Sequence, residues 1–322
     1  MKILVTGGAG FVGSHLVDLL LSSGHQITVL DDLSTARATN LDLAKKSATF
    51  KLIQGSILDA DLVKELVDSS DGCFHLAAAL GVERIIERPL ESLDINIRGS
   101  EIVLRACAYK GIRTLVTSTS EIYGKSQDIP LREDGDRVLG SPLKSRWTYS
   151  EAKALEEAYA IILHQQQNLP VVIARLFNTV GPRQTGAYGM VIPRFVRAAL
   201  QDENLRIHGD GTQSRVFCHV SDAVRGLSDL FFSEISGDVF NLGGVGEISI
   251  SDLASRVITL TRSSSKLESV PYAEAYGTGF EDMQRRVPDI SKVANAVGWK
   301  PSITLDEIIN DVAAFIQANG DK

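Results

Sequence analysis

Residues 1–20 read MKILVTGGAGFVGSHLVDLL, and the fold of the chain follows from this stretch. A short apolar run (Ile3, Leu4, Val5) meets a glycine cluster (Gly7, Gly8, Gly10, Gly13), and an apolar-periodic segment (Phe11, Val12, Leu16, Leu19, Leu20) comes directly after it. That order is strand, tight turn, helix. The spacing Gly8-x-Gly10-x-x-Gly13 fits a dinucleotide fingerprint, and Gly7-x-x-Gly10-x-x-Gly13 fits it in a second register. Glycine is needed because the turn demands unusual backbone angles and a pyrophosphate has to approach the main chain closely. The free N–H groups and positive end of the helix then face the phosphates.

Working outward, the next apolar run, Ile27 to Leu30, ends in Asp31 and Asp32, roughly twenty residues beyond the glycines. An acid there accepts hydrogen bonds from a ribose 2′-OH and repels a 2′-phosphate, so NAD is expected rather than NADP. Thr49–Gln54, Gly72–Leu76 and Arg113–Ser118 are further strand candidates, with helical stretches near Asp59–Val67 and Glu91–Tyr109. Gly111 is placed to stop the second of these helices. A long helix follows over Trp147–Gln167, ended by Asn168 and Pro170, and then a strand over Val171–Leu176. The βαβα succession predicts an α/β, Rossmann-type, doubly wound parallel sheet.

After this the chain changes character. Asn178 to Pro193 mixes glycines and prolines with polar residues and reads as an ordered functional loop. A final helix is expected over Leu305–Asn319. We therefore expect an NAD-binding domain over 1–176. The remainder, 177–322, is expected to be mainly a smaller substrate-binding lobe, with some segments returning to the first domain.

The composition excludes several classes. At 322 residues, with 44% hydrophobic and 23% charged residues, the chain reads as soluble and globular. A net charge of −7 with scattered basic residues gives no footprint for nucleic acid. Cys73, Cys107 and Cys218 are too few and too dispersed for a disulfide framework or a zinc site, so no metal is expected. Lys2 before an apolar run imitates a signal peptide, but the glycines interrupt the run, and no apolar segment reaches membrane-spanning length. A cytoplasmic protein without membrane contact is expected.

The second constellation is Tyr149-Ser-Glu-Ala-Lys153. Positions four apart share a helix face, so phenol and ammonium sit together, and the lysine is expected to lower the tyrosine pKa toward a usable base. Alone, such a spacing is common surface decoration. Here a nucleotide fold precedes it, and Thr119, in a strand ending Thr117-Ser-Thr-Ser-Glu121, supplies a hydroxyl partner.

With these residues in view, the sequence resembles the extended short-chain dehydrogenase/reductases of the nucleotide-sugar epimerase/dehydratase group. The resemblance runs through Thr6–Gly13, His75-Leu-Ala-Ala78, Asn96 in Asn-Ile-Arg-Gly, Thr119–Gly124 and Tyr149-x-x-x-Lys153. It continues through Arg175-Leu-Phe-Asn178, Gly181-Pro-Arg183, Arg215-x-Phe-x-x-Val-x-Asp222 and Arg285-Arg-Val-Pro-Asp289. It implies that Tyr149 takes the proton from the sugar 4-OH as the C4 hydride passes to tightly bound NAD, with Lys153 on the nicotinamide ribose and Thr119 on the 4-oxygen. It implies a cofactor site of Gly7, Gly10, Phe11, Val12, Gly13, Asp31, Asp32, Ser56, Ile57, Leu76, Ala77, Ala78 and Asn96. Ser56-Ile57 stands where the group usually has Asp-Ile or Asp-Leu beside the adenine. Asn178, Arg183, Arg215 and Arg286 are implied contacts of a UDP-linked substrate.

The resemblance also implies a homodimer through a four-helix interface made by Glu91–Tyr109 and Trp147–Gln167. It leaves the fate of the ketone open. Ser120-Glu121 resembles UDP-glucuronate decarboxylases rather than the dehydratases, whereas the Gly181–Pro193 loop looks like that of 4-epimerases. The leading expectation is a UDP-glucose- or UDP-glucuronate-type 4-epimerase, followed by a decarboxylase and, behind both, a non-catalytic NAD-binding sensor. Glu121 also has a plainer reading, as a carboxylate that orients Tyr123 or a backbone amide.

Overall fold

The computed structural model describes residues 1–79, 89–144, 147–184, 190–271, 274 and 283–320. Side-chain alternation along the first strand sets the layers. In β1 (Lys2–Thr6), Ile3 and Val5 enter one apolar core and Leu4 enters another, so the strand is covered on both faces. The chain continues through α1 (Phe11–Ser22), β2 (Gln26–Asp31), β3 (Phe50–Gln54), α2 (Ala60–Asp68) and β4 (Gly72–His75). Then come α3 (Pro89–Leu93), α4 (Ser100–Lys110), β5 (Arg113–Thr119), α5 (Thr148–Gln167) and β6 (Val171–Leu176). These bounds agree with the sequence-based expectations to within a residue or two, except at one helix.

The exception is the helix expected over Glu91–Tyr109. Between α3 and α4 the backbone widens into a π-helical turn, Asp94–Gly99. The wider turn carries Asn96 to Ala79, where it accepts from the backbone N–H at 2.8 Å and donates to the carbonyl at 3.0 Å. It also presses Gly99 against Ile57, whose Cδ1 would lie 2.5 Å from any added Cβ.

Beyond β6 lie β7 (Thr179–Val180), α6 (Val191–Leu200), β8 (Leu205–His208), β9 (Ser214–Arg215) and β10 (Cys218–His219). They are followed by α7 (Val220–Phe231), β11 (Asp238–Leu242), β12 (Ile248–Ser249), α8 (Ile250–Thr261) and β13 (Leu267–Val270). β14 (Arg285–Arg286), α9 (Ser291–Val297) and α10 (Leu305–Asn319) complete the order. The main sheet runs β11-β6-β5-β4-β1-β2-β3, with every pair parallel.

One face packs on α1 and α7 through Leu16, Val17, Leu20, Val224, Leu227 and Phe231, with Phe231 stacked on Phe74 at 4.1 Å. The other packs on α2, α4 and α5 through Val63, Leu66, Leu104, Cys107, Ala160 and Leu163. Each such side chain contributes about 1.5–3 kcal/mol by leaving water. A separate core joins α6, α8 and α10 through Ile192, Phe195, Leu253, Val257, Ile308 and Ile309. The α1–α7 core and this one are fastened together at Asp222, whose carboxylate accepts from Ser302 N at 2.7 Å and Ile303 N at 2.9 Å. Trp299 Nε1 donates to the Asp222 carbonyl at 2.9 Å.

Among the described residues, no helix is long and apolar enough to cross a membrane, and no His/Cys/Asp/Glu group is arranged to hold a metal ion. Residues 185–189 of the loop expected to be functional lie outside the described residues.

Candidate active site

β1 and β4 are neighbours, yet the strand order runs outward from them in opposite directions. A crevice therefore opens at their carboxyl ends, the position at which doubly wound sheets bind ligands. Gly7, leaving β1, has φ +69°, and an added Cβ would lie 2.7 Å from Ala77 Cα. Gly10 N–H donates to the Gly7 carbonyl at 3.2 Å and Gly10 begins α1 with no side-chain cap, so the first helical N–H groups have no partner from a cap. Gly13 packs so tightly on the turn that a Cβ would stand 2.2 Å from the Gly7 carbonyl oxygen.

Asp31 sits nearly buried at the end of β2, and burial pushes its carboxyl above the usual range. It accepts from Ala9 N and Leu33 N, each at 2.9 Å, while Asn40 Nδ2 donates to the Ala9 carbonyl at 2.9 Å. Asn40 was not singled out from sequence, because it lies in a short 3-10 turn with no motif around it. Asp32 is exposed and accepts from Ser34 N at 2.9 Å, and Ser56 caps its own turn through Leu58 N at 3.2 Å.

These elements wall a single cavity of about 540 Å³. It gathers Gly7, Gly10, Phe11, Val12, Gly13, Asp31, Asp32, Ser56, Ile57, Leu76, Ala77 and Ala78 with Thr119, Ser120, Glu121, Tyr149, Lys153, Asn178, Arg183, Arg215 and Arg286. Asn96 alone of the expected site residues does not line it; through Ala79 it positions the wall.

Tyr149 and Lys153 share the buried face of α5. Thr119 Oγ1 accepts from Glu121 N at 3.2 Å, and Ser150 Oγ donates to the Glu121 carbonyl at 2.8 Å, which ties α5 to the end of β5. The expected lowering of the Tyr149 pKa is not what the protein's own groups produce. Burial pushes the phenol up, and Glu156 and Glu121 push it further. The Lys153 ammonium is engaged by Glu156 Oε2 at 2.5 Å. Below them His75 bonds Thr6 Oγ1 at 2.7 Å and Ser100 Oγ at 3.0 Å. Burial, helped by Lys153, drives His75 down to about 3, so it is neutral.

At the opposite wall, Arg286 Nη2 meets Glu121 Oε1 at 2.7 Å, so Glu121 is an ion-pair partner rather than an orienter of Tyr123. The Tyr123 hydroxyl instead donates to Asn241 and accepts from Arg175. Arg215 stands in register with Arg286 across β9 and β14, its Nη1 donating to the Ser214 carbonyl at 2.8 Å. Asn178 Nδ2 donates to the Val216 carbonyl at 2.9 Å. Arg183 departs from expectation in part: its Nη2 donates to Asp18 of α1 at 2.7 Å while the residue still lines the cavity. Arg194 and His208 also line it, close together, and were not found from sequence.

Residues 3–243 match the model of the NAD dependent epimerase/dehydratase family. The chain belongs to this family. A UDP-N-acetyl-alpha-D-glucosaminuronate decarboxylase of Bacillus cytotoxicus is 39% identical over 98% of both chains. UDP-glucuronic acid decarboxylase 1 of Danio rerio is 37% identical over 98% of this chain and 72% of its own length. Among solved structures, UDP-glucuronic acid 4-epimerase from Bacillus cereus, in complex with UDP-glucuronic acid and NAD, superposes with a TM-score of 0.88 at 29% identity over 99% of each chain. The cofactor of this family member is NAD, and the cradle fits it: a turn where Gly7 and Gly13 exclude any Cβ, an uncapped helix start and a buried acid beyond them.

Proposed function

We propose that this enzyme decarboxylates a UDP-linked hexuronic acid after oxidising it at C4. The observation that carries the reading is the Glu121–Arg286 pair, 2.7 Å apart and lining the same cavity as Tyr149. Arg286 offers a planar, carboxylate-matching cation, and Glu121 fixes its orientation. The relatives named for decarboxylation of UDP-uronic acids support the same choice.

In this reading the start of α1, Gly10 and Asp31 hold the dinucleotide, and Lys153 holds its nicotinamide ribose. NAD, when bound, would supply the hydride acceptor for C4 oxidation and the hydride donor for the final reduction. Tyr149 accepts the 4-OH proton and Thr119 holds the 4-oxygen. The resulting ketone makes the C6 carboxylate a β-keto acid. Its C5–C6 bond breaks, the electron pair passes into an enolate on the 4-oxygen, carbon dioxide leaves, and C5 takes a proton.

A second reading, 4-epimerisation with the carboxylate kept, is favoured by the likeness to the 4-epimerase structure. Proton NMR of the enzyme with UDP-glucuronate, UDP-N-acetylglucosaminuronate and UDP-glucose separates the two. Carbon dioxide and a UDP-pentose are the expected products. A C4 epimer that keeps C6 would replace this reading with the second, and no reaction on any of the three would remove both.

A further inference from the structure

Glu156 is absent from every sequence motif above, yet it is the buried carboxylate paired with Lys153. It lies three residues after Lys153 on α5, is 3% exposed, and holds the ammonium of a lysine that is itself 2% exposed at 2.5 Å. Its second oxygen faces His75 Nε2 of β4 at 3.5 Å, beside the Ser100 hydroxyl of α4 that also bonds His75. A buried lysine with no anion beside it would carry an unmatched charge, and Glu156 supplies the anion.

The other titratable groups facing this pair, among the described residues, do not take over that role. Glu157, next on α5, is committed to Arg175 of β6, whose Nη2 donates to it at 2.8 Å. Glu121, after β5, is committed to Arg286. His75 is neutral. Tyr149 therefore shares its helix face with a lysine already paired to a carboxylate, and its phenol is raised first by burial and then by Glu156 and Glu121.

We propose that Glu156 is a positioning residue of the oxidation step: it fixes the Lys153 ammonium at the cavity floor and offsets the charge that would draw the proton off Tyr149. The consequence is a stronger base. A phenolate facing an unmatched ammonium ionises easily but accepts a proton weakly, whereas one facing a matched lysine keeps more of its basicity. This inference rests on the reading of Tyr149 as the proton acceptor, so its test needs a readout that does not depend on substrate identity.

That readout is the tyrosinate absorbance of the NAD-loaded enzyme, titrated with pH and subtracted against a Tyr149→Phe version of the same protein. Glu156→Gln keeps an acceptor for Lys153 but removes the charge, and should move the Tyr149 midpoint down by about one pH unit. Glu156→Asp keeps the charge and should restore most of the wild-type midpoint. Turnover on whichever UDP-sugar reacts should show the acidic limb of kcat/KM moving the same way while the kcat plateau falls severalfold. A structural role alone would lower stability and leave both midpoints in place.

If Gln does not fold, Glu156→Met, neutral and of similar length, carries the same test; failure of both to fold makes the residue structural and overturns the proposal. Equal midpoints in wild type and Gln, or an acidic limb of kcat/KM at the same pH in both, overturn it too. A shifted midpoint with no reaction on any UDP-sugar would uphold Glu156 and remove the proposed function instead.

Discussion

Replacing Gly13 with alanine puts a methyl group 2.2 Å from the Gly7 carbonyl oxygen, 2.8 Å from Gly8 Cα and 3.0 Å from Gly7 C. Neither glycine can retreat freely. A Cβ on Gly7 would already sit 2.7 Å from the Ala77 backbone, and one on Gly8 would sit 2.6 Å from Val29. The helix start must therefore back away by about 1 Å to restore ordinary contact. Overpacking of this kind costs about 1–3 kcal/mol, and the better helix propensity of alanine returns at most about 1 kcal/mol. A net loss of about 1–2 kcal/mol lowers Tm by roughly 2–6 °C.

Cofactor binding should suffer far more. Two displaced N–H groups that each give a charge-assisted bond of about 1.5–3 kcal/mol to phosphate weaken NAD binding by about 10²–10⁴-fold. Gly10→Ala is the internal control. Its Cβ meets only the Gly7 carbonyl oxygen, at 3.2 Å, and its φ of −66° suits alanine, so it should fold normally and still lose NAD. Calorimetric titration with NAD and thermal melts of both variants give the comparison. Gly13→Ala binding NAD with wild-type affinity would refute the assignment of this turn to the pyrophosphate.

Tyr149→Phe should retain NAD and lose at least about 10²-fold in kcat, measured by product formation, since a positioned base contributes that much or more; unchanged kcat removes its role. His75, held near 3 when folded against an ordinary value of 6.5, takes its proton only on unfolding. Its stabilisation is complete above pH 6.5 and falls as pH drops toward 3, by up to about 1.4 kcal/mol per unit. His75→Asn should flatten the decline of Tm between pH 6.5 and 4.5, and an unchanged slope refutes this. Asp222→Ala strands the N–H groups of Ser302 and Ile303, at about 1–3 kcal/mol each, and urea unfolding should show a loss of at least about 2 kcal/mol.

What was readable in the sequence was what local pattern controls. The glycine turn, Asp31 at a strand end, the Tyr149–Lys153 face and the β6 span over Val171–Leu176 each depend on residues a few positions apart. What was missed depends on distant partners. The π-helical turn comes with the reach of Asn96 to Ala79, and nothing near Asn96 in sequence announces that contact. Arg183 was assigned to substrate from its motif, yet Asp18, on a helix 165 positions away, claims one side of it. The lowered Tyr149 pKa follows from Lys153 alone, and burial of the phenol, with Glu156 and Glu121 added, reverses the sign. A carboxylate three residues from a lysine is ordinary on a surface; only burial of both gives it meaning.

The register of Arg286 beside Arg215 has one more consequence. Two arginine-bearing strands, drawn from positions far apart in the chain, lie parallel, and both arginines are nearly out of water. Glu121 already holds Arg286, and a diphosphate seated against Arg215 would add an anion to the neighbouring strand. By this reasoning the small sheet of β12, β9 and β14 should tighten when a ligand is bound. A UDP-sugar should accordingly slow amide exchange in β14 more than in β6, so that the lobe reports occupancy through its own rigidity.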